Sequence, residues 1–179
     1  MSGFVVWFTG LSAAGKTTVA NIVEAELEQR GLVVDHLDGD IVRTHLSKGL
    51  GYSKDDRDAN IARIGWVASR VARAGAAVVV SAISPYAEAR RHARSLVEPH
   101  TPFVEVYVAT PLEECARRDP KGLYAAAFAG EIEDFTGVSA PYEAPEAPEV
   151  TIDTTGISPS ESAATVIEAL ERLNVLVPA

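Results

Sequence analysis

The segment of residues 10–17 constrains the fold of this chain more than any other feature. It reads GLSAAGKT, which matches the pattern G-x-x-x-x-G-K-[ST], and it follows the apolar run FVVWF at residues 4–8. In this pattern glycines allow a tight turn, backbone N–H groups face phosphate oxygens, lysine adds a charge, and the last hydroxyl is a ligand for Mg²⁺. A helix predicted for residues 17–30 directs its positive end toward the same point. The segment therefore predicts nucleotide binding by Gly10, Leu11, Ser12, Ala13, Ala14, Gly15, Lys16, Thr17 and Thr18.

Length and charge narrow the class of protein. The chain of 179 residues suits one domain, residues 1–179, with a single core, and no window approaches the roughly 18 apolar residues of a membrane span. A net charge of −9 disfavours nucleic acid as a partner. No export signal is evident, so we expect a cytoplasmic location. With one cysteine and no zinc-like histidine spacing, Mg²⁺ carried by the nucleotide is the only metal expected.

Apolar runs with strand character alternate with helical segments, at residues 4–9, 33–37, 76–81 and 103–108. The alternation predicts an α/β fold of the P-loop type, with three layers: a central parallel sheet and helices on both faces. A further run at residues 150–152 returns to the sheet, and Ser158 with Glu161 forms the capping-box pattern of a last helix ending near Leu173. Between residues 119 and 148 prolines and glycines interrupt any apolar period, so we expect a mobile lid there.

Two aspartates decide among the classes of nucleotide-binding protein. Asp38 and Asp40 follow the run at residues 33–37, so both carboxylates are expected at the carboxyl edge of the sheet, beside the phosphate loop. One carboxylate is expected to hold Mg²⁺ through water and the other to accept a proton from an attacking hydroxyl. Asp38 is assigned to the metal together with Thr17. The alternative is that Asp40 only N-caps the next helix. No guanine-selecting N-K-x-D and no transporter-ATPase signature occurs, which leaves a small-molecule kinase.

Seven short motifs occur in the order found in one family. They are residues 10–17, 37–40 with Arg43, 50–53, 56–57 with 60–61, 83–86, 118–124, and 135–137 with 140–145. On these motifs the chain resembles adenylylsulfate kinase, which uses ATP to phosphorylate adenosine 5′-phosphosulfate (APS) on its 3′-hydroxyl and gives 3′-phosphoadenylyl sulfate (PAPS). The resemblance implies ATP and Mg²⁺ as cofactors, APS as the substrate and a homodimer, and it leaves a sulfate adenylyltransferase open as a partner.

The resemblance also implies roles for single residues around the substrate. Arg43 and Arg57 hold the phosphosulfate with help from Asn60, and Tyr52 and Phe135 sandwich the adenine of APS. The physical requirements agree, because an anion needs cations and a purine needs flat apolar faces. Taken singly, each side chain also has an alternative role. Arg43 and Arg57 also fit solvated charges on helices. Tyr52 also fits a half-buried ring of the core, and Phe135 an anchor of the lid. The implied substrate-binding residues are Asp40, Arg43, Tyr52, Arg57, Asn60, Ile83, Ser84, Lys121, Leu123 and Phe135.

Lys121, Arg118 and Ser84 receive roles by the same resemblance. Lys121 lies in the lid, where a cation closes over the phosphates, and its alternative is a surface lysine. Arg118 packs on the adenine of ATP, and its alternative is an ordinary surface arginine.

In bacterial members of the family the serine at Ser84 is considered as a phosphoserine, and its structural alternative is an N-cap for the helix through Leu96. We expect direct in-line transfer with Ser84 in a positioning role. The expected catalytic residues are Lys16, Asp38, Asp40, Ser84 and Lys121.

The chain departs from the family pattern at three places. Ile41 stands where asparagine is common, Ala125 and Ala126 replace two lid lysines, and Tyr52 replaces a phenylalanine. The resulting lid is acidic for a segment that closes over polyanions, which puts affinity and closure kinetics in doubt. Two other functions stay open: a kinase of the same architecture for another acceptor, and a regulatory nucleotide-binding module without turnover.

Overall fold

Five parallel strands form the central sheet of the computed structural model, which describes residues 3–178. Their bounds are Phe4–Thr9 (β1), Val34–Asp38 (β2), Ala77–Ser81 (β3), Phe103–Val108 (β4) and Val150–Ile152 (β5). They lie in the spatial order β2-β3-β1-β4-β5, and all neighbouring pairs are parallel. The predicted α/β class with a central parallel sheet is confirmed, and each predicted run matches a strand to within one residue at either end.

Helices cover both faces of this sheet. Their bounds are Lys16–Gln29 (α1), Gly39–His45 (α2), Lys54–Arg73 (α3), Ala87–Val97 (α4), Leu112–Arg118 (α5), Leu123–Phe128 (α6) and Pro159–Arg172 (α7). Helices α1 and α7 pack together on one face, and α3 and α4 pack together on the other. Within residues 3–178, no helix combines the length and the apolar character needed to cross a membrane.

The central strand β1 shows why both faces must be covered. Phe4, Val6 and Phe8 join the core beneath α1 and α7, whereas Val5 and Trp7 join the core beneath α3 and α4. All five side chains are buried, because consecutive residues of a strand point to opposite faces. A continuous apolar run is therefore what a strand between two helical layers requires. The central position of β1 brings the loop that follows it to the middle of the carboxyl edge of the sheet.

The first turn of α2 differs from one sequence interpretation. Its N-cap is Asp38, whose side chain accepts hydrogen bonds from the backbone N–H groups of Asp40 and Ile41. The alternative that Asp40 caps this helix is wrong, because β2 runs one residue further than predicted and leaves Asp38 at the junction. The capping box of Ser158 and Glu161 at the start of α7 is confirmed.

Ser84 does not cap α4. The helix begins after Tyr86, which makes no side-chain capping hydrogen bond. The Ser84 hydroxyl is instead turned into the interior, where it accepts a hydrogen bond of 3.0 Å from the indole Nε1 of Trp7. The capping interpretation is therefore wrong, because a partner distant in the sequence engages the hydroxyl.

Residues 119–148 contain more regular structure than their sequence indicates. They include α6 and an isolated bridge between Thr136 and Ala140. Helix α6 has only six residues and follows Gly122, which has φ +67°, so it is too short for an apolar period to show. Its Tyr124 is buried, and the phenol donates to the carbonyl oxygen of Ser12 at 2.9 Å. This segment therefore rests directly on the phosphate loop.

Candidate active site

The phosphate loop joins β1 to α1 and is supported from behind by two threonines that follow strands. The hydroxyls of Thr110 and Thr154 hydrogen-bond the carbonyl oxygen of Ala14 at 3.0 and 2.8 Å. Gly15 precedes α1 with φ +102°, and a Cβ at this position would meet the Thr154 side chain at 3.3 Å. Glycine alone adopts this conformation without strain. The loop is therefore preformed, with the N-terminus of α1 directed at the cavity.

Lys16 is the buried cation of the loop. Its Nζ donates to the carbonyl oxygen of Leu11 at 2.6 Å, which folds the side chain back over the loop. Burial lowers the pKa of Lys16 to about 8, although Cys115 and the nearby aspartates oppose this change. Phosphate oxygens placed in the cavity would favour the ammonium form, because an adjacent anion stabilises the charge. The position suits a lysine whose positive charge serves an anionic ligand.

Asp38 is held by hydrogen bonds at the end of β2. Its Oδ2 accepts from Thr17 Oγ1 at 2.8 Å and from Ser81 Oγ at 3.0 Å, and its Oδ1 accepts from the backbone N–H of Asp40 at 2.9 Å. Partial burial raises the pKa of Asp38, but these donors outweigh it and hold the pKa below its ordinary value. Asp38 is therefore a fixed carboxylate, suited to orient the Thr17 hydroxyl and poorly suited to take up a proton.

Asp40 stands in the cavity with a different partner. Its carboxylate is 77% exposed and forms an ion pair with Nζ of Lys121, which lies in the segment of residues 119–148. The hydrogen bond from Lys121 to Asp40 raises the pKa of the lysine. The sequence places Lys121 over phosphates, whereas in this structure its ammonium group lies on the carboxylate. The pair links α2 to the segment of residues 119–148, and both of its members line the cavity.

A cavity of about 1300 Å³ at the carboxyl edge of the sheet contains most of the predicted site residues. The predicted residues that line it are Ser12, Ala13, Gly15, Lys16, Thr17, Thr18, Asp38, Asp40, Arg43, Tyr52, Arg57, Asn60, Ile83, Ser84, Arg118, Lys121, Leu123 and Phe135. Gly10, Leu11 and Ala14 lie behind this surface and shape the loop. The folded chain thus brings together side chains that are far apart in the sequence.

One end of the cavity carries aromatic rings and an arginine. The guanidinium carbon of Arg43 lies 4.3 Å from the ring centroid of Tyr52, and its NH1 donates to the carbonyl oxygen of Gly51 at 2.9 Å. Tyr52 is nevertheless 64% exposed, so one face of its ring is available. Phe135 packs edge-on against Tyr124, with ring centroids 5.0 Å apart. This end of the cavity therefore offers two flat apolar surfaces beside a positive charge.

Arg57 and Asn60 lie on α3, deeper in the same end. Arg57 is buried, and its guanidinium donates to Thr136 Oγ1 at 2.6 Å and to the carbonyl oxygen of Asp134. Asn60 is also buried, and its Oδ1 has no hydrogen-bond partner among the described residues. A buried polar atom without a partner is uncommon in proteins and calls for an explanation. A bound ligand that donates a hydrogen bond in this pocket would supply one.

Arg118 lies at the opposite end of the cavity, beside the phosphate loop. Its Nε donates to Glu114 Oε1 at 2.8 Å, and its NH1 and NH2 donate to Oγ1 and the carbonyl oxygen of Thr154 at 2.8 and 3.0 Å. These contacts occupy the edge of the guanidinium and fix its plane. The flat face of the group is the part that remains for stacking on a ring.

Several residues of the site were missed by sequence reasoning. Ser81 orients Asp38, Thr136 binds Arg57, and Thr154 supports both the phosphate loop and Arg118. Ser81 ends β3 and Thr154 follows β5 by two residues, so both lie at the carboxyl edge where α/β proteins bind ligands. The sequence signal for these two residues is a hydroxyl at or just after a strand end.

The fold and the cavity define a kinase of the P-loop class, since a phosphate loop and paired aspartates face a second pocket suited to an anionic, ring-containing acceptor. The chain belongs to the adenylylsulphate kinase family, whose model matches residues 2–153. The predicted family, the P-loop fold and the assignment as an adenylyl-sulfate kinase are thereby confirmed.

Relatives match nearly the whole chain. It is 56% identical over 173 residues to the probable bifunctional SAT/APS kinase 2 of Sorangium cellulosum, a match covering 97% of this chain and 29% of that protein. It is 52% identical over 176 residues to the adenylyl-sulfate kinase of Picosynechococcus, covering 98% of both chains. The solved structure of the Mycobacterium tuberculosis APS kinase CysC in complex with AMPPNP and APS is similar with a TM-score of 0.91 and 46% identity, covering 95% of this chain and 98% of that one.

Proposed function

We propose that this chain transfers the γ-phosphoryl group of ATP to the 3′-hydroxyl of APS, with Mg²⁺, to give PAPS and ADP. The observation that carries the proposal is the cavity of about 1300 Å³, with the phosphate loop at one end and a cationic, aromatic pocket at the other. The lining joins the phosphate loop to this second pocket and extends beyond them along β2 as far as Val34, so one continuous space offers a place for each of two nucleotides. The relative whose structure holds both AMPPNP and APS supports the same pair of ligands.

Thr17 and Asp38 fit a Mg²⁺ ion carried by ATP. The Thr17 hydroxyl donates to Asp38 Oδ2, which directs its proton to the carboxylate and leaves its lone pairs for a cation. Hydroxyl and carboxylate oxygens are the hard ligands that Mg²⁺ prefers. When bound, the ion would neutralise charge on the β- and γ-phosphates. Lys16 and the backbone N–H groups of the loop bind the same phosphates.

Asp40 is the proposed general base. During transfer, the 3′-oxygen of APS forms a bond to the γ-phosphorus, the bond from that phosphorus to the oxygen of ADP breaks, and the hydroxyl proton passes to Asp40. Asp38 is not available for this role, because side-chain and backbone donors already surround its carboxylate. Lys16 stabilises the charge on the transferring group. Ser84 takes no part in covalent chemistry in this scheme.

Lys121 changes partner in the proposed cycle. In this structure its ammonium is paired with Asp40, which keeps the base occupied. We infer that the two substrates draw Lys121 from Asp40 to the phosphates, where it stabilises developing charge. Residues 119–148 then act as a lid whose closure releases the base at the moment both ligands are present. Because this segment is acidic and closes over anionic substrates, we expect charge repulsion to affect the rate of closure.

The acceptor is bound by charge and by stacking in this proposal. Arg43, Arg57 and the side-chain NH2 group of Asn60 hold the phosphosulfate, while Tyr52 and Phe135 hold the adenine between their faces. Both rings and both arginines line the cavity, and a fixed guanidinium suits a phosphate or sulfate oxygen. Ile83, Ser84 and Leu123 complete the walls, and the face of Arg118 stacks on the adenine of ATP.

The oligomeric state, the location, the domain organisation and the protein partner of this chain stay predictions. A cytoplasmic location and a single domain over residues 1–179 are expected from the sequence, and a homodimer is expected from the resemblance to the family. Association with a sulfate adenylyltransferase is supported by the Sorangium relative, in which SAT and APS kinase are parts of one protein.

The decisive experiment measures ADP release by the purified chain with Mg²⁺ and ATP, with and without APS, and identifies the product by chromatography. ADP release that depends on APS, together with a 3′-phosphorylated product, supports the proposal. Nucleotide binding without turnover would indicate a regulatory module. Turnover with a different hydroxyl acceptor, and none with APS, would indicate a kinase with a repurposed pocket.

Replacement of Tyr52 by alanine should weaken APS binding selectively. A base stacked on an aromatic ring contributes about 1–3 kcal/mol, so the KM for APS should rise by about 5–150-fold while the KM for ATP changes little. Tyr52→Phe is the matched control, because it keeps the stacking face and should retain the wild-type KM within about threefold. Steady-state kinetics with each substrate varied would contradict the assignment if Tyr52→Ala raised both KM values equally.

Ser84→Ala should retain turnover, with a loss smaller than about tenfold. Ser84 is 1% exposed, and its hydroxyl accepts from Trp7 Nε1 and donates to the carbonyl oxygen of Ala82 at 3.1 Å, so it is engaged in the interior. The measurement is kcat of the variant, with a search for labelled phosphoserine in the wild-type enzyme after incubation with γ-labelled ATP. A phosphoserine that passes its label to APS at a competent rate would overturn the direct-transfer scheme.

A further inference from the structure

Arg90 joins three separate segments of the fold. It lies on α4 and is 4% exposed. Its NH1 donates to the carbonyl oxygen of Ser84 at 2.7 Å, its NH2 donates to the carbonyl oxygen of Glu143 at 2.6 Å, and its Nε pairs with Glu105 Oε1 at 3.1 Å. Ser84 belongs to the cavity wall and Glu143 to the far end of the lid, while Glu105 lies on β4. One buried guanidinium thus ties the wall and the lid to the sheet.

The segment that Arg90 holds is conformationally unusual. Ser84 has φ +43°, a left-handed conformation that side-chain-bearing residues seldom adopt. Such a conformation persists only where the surroundings enforce it. Here the Thr9 hydroxyl donates to the carbonyl oxygen of Ile83 at 2.7 Å, Trp7 donates to the Ser84 hydroxyl, and Arg90 binds the Ser84 carbonyl oxygen. Three side chains from outside the segment therefore impose its shape.

We propose that Arg90 is a positioning residue for the acceptor, which holds the wall formed by Ile83 and Ser84 in its left-handed shape and links it to the lid at Glu143. This inference rests on the proposed function, because that function places the lining residues Ile83 and Ser84 in the wall of the APS pocket. Arg90 is not among the residues that line the cavity, so it acts through the segment it binds. The phosphate loop is supported independently by Thr110 and Thr154.

Arginine is needed here for its shape as well as its charge. Three acceptors lie around one planar group, and a lysine ammonium on a flexible stem cannot reach all three at once. Glu105 favours a cation at this position, since a buried carboxylate needs a charged partner and the other one, Arg94, lies farther from it at 3.8 Å. Burial raises the pKa of Glu105, while Arg90 and Arg94 oppose that change. Arg90→Lys is therefore the informative variant, because it keeps the positive charge and removes the planar guanidinium that binds three acceptors at once.

The test compares the two substrates in Arg90→Lys. The KM for APS should rise about tenfold, which corresponds to about 1.4 kcal/mol, whereas the dissociation constant of AMPPNP, measured by calorimetry, should stay within about twofold. An equal loss for both ligands, or no change in either, would overturn the inference. Failure of the proposed function would look different, because the wild-type enzyme would then show no turnover of APS.

Two variants of Ser84 test the conformational part of the inference and serve if Arg90→Lys does not fold. Ser84→Gly and Ser84→Ala remove the same hydroxyl, but glycine alone adopts φ +43° freely. The glycine variant should therefore have the lower KM for APS, by about threefold or more, in the wild-type background and in Arg90→Lys where that variant folds. Elsewhere in a chain alanine is the better tolerated residue, so an alanine variant equal to or better than glycine would overturn the inference.

Discussion

Lys16→Ala is expected to reduce turnover of ATP and APS by about 10³-fold or more, to the limit of detection. The ammonium group lies within the phosphate loop and is the buried charge nearest to the phosphates in the proposed complex. Its loss removes stabilisation that grows as negative charge develops on the transferring group. The measurement is APS-dependent ADP release, followed over long incubation with excess enzyme.

Folding should survive this substitution. The wild-type protein already bears the cost of burying Lys16, as the lowered pKa of the lysine indicates, so alanine should leave the melting temperature unchanged or raise it. Lys48→Ala, at an exposed position outside the cavity, is the matched control and should keep wild-type turnover. A folded Lys16→Ala variant with kcat within about tenfold of wild type would remove the lysine from the mechanism.

Asp40→Asn is expected to lower kcat by about 10²-fold or more, with small changes in both KM values. Asparagine keeps the size of the side chain but does not accept a proton from the 3′-hydroxyl. The substitution leaves the start of α2 intact, because Asp38 caps that helix, and it also removes the charge that pairs with Lys121. Steady-state kinetics, with each substrate varied in turn, separates an effect on the chemical step from an effect on binding.

The matched control for this prediction is Asp55→Asn, which removes one negative charge from an exposed position in the first turn of α3. It should leave kcat unchanged, since Asp55 does not line the cavity. If Asp40→Asn retained kcat within about threefold of wild type, Asp40 would not be the base, and positioning alone would have to account for transfer. The ion pair with Lys121 would then be its principal role.

The sheet and the phosphate loop were predictable because each depends on residues that are neighbours in the sequence. The apolar run of β1 and the glycines beside Lys16 are local patterns, and the requirement for burial on both faces makes such a run unambiguous. The position of Asp38 beside Thr17 followed from a general rule, namely that the ends of parallel strands meet at one edge. The observed contact of 2.8 Å between them agrees with that rule.

Two details of the site were not predictable, because they depend on partners remote in the sequence or on small shifts. Both Asp38 and Asp40 suit an N-cap, and a one-residue extension of β2 decides between them. Ser84 followed by proline reads locally as a cap, yet the indole of Trp7, 77 residues away, determines where its hydroxyl points. Local preference was overruled by tertiary contact in that case.

The contact of Lys121 with Asp40 was missed for a different reason. The sequence patterns associate each residue with a ligand, and they carry no information on a contact between two residues 81 positions apart. A cation and a carboxylate that face the same cavity attract each other and pair when the chain allows it. The pairing therefore follows from the same charges that the substrates require.

The hydrogen bond from Trp7 to Ser84 gives this enzyme an intrinsic optical reporter. The chain has two tryptophans. Trp7 is buried in the core beside the acceptor wall, whereas Trp66 lies on the outer face of α3 and is 58% exposed. Replacement of Trp66 by phenylalanine would leave a single indole whose emission responds to its hydrogen bond and surroundings. Acceptor binding becomes a fluorescence measurement that requires no attached dye.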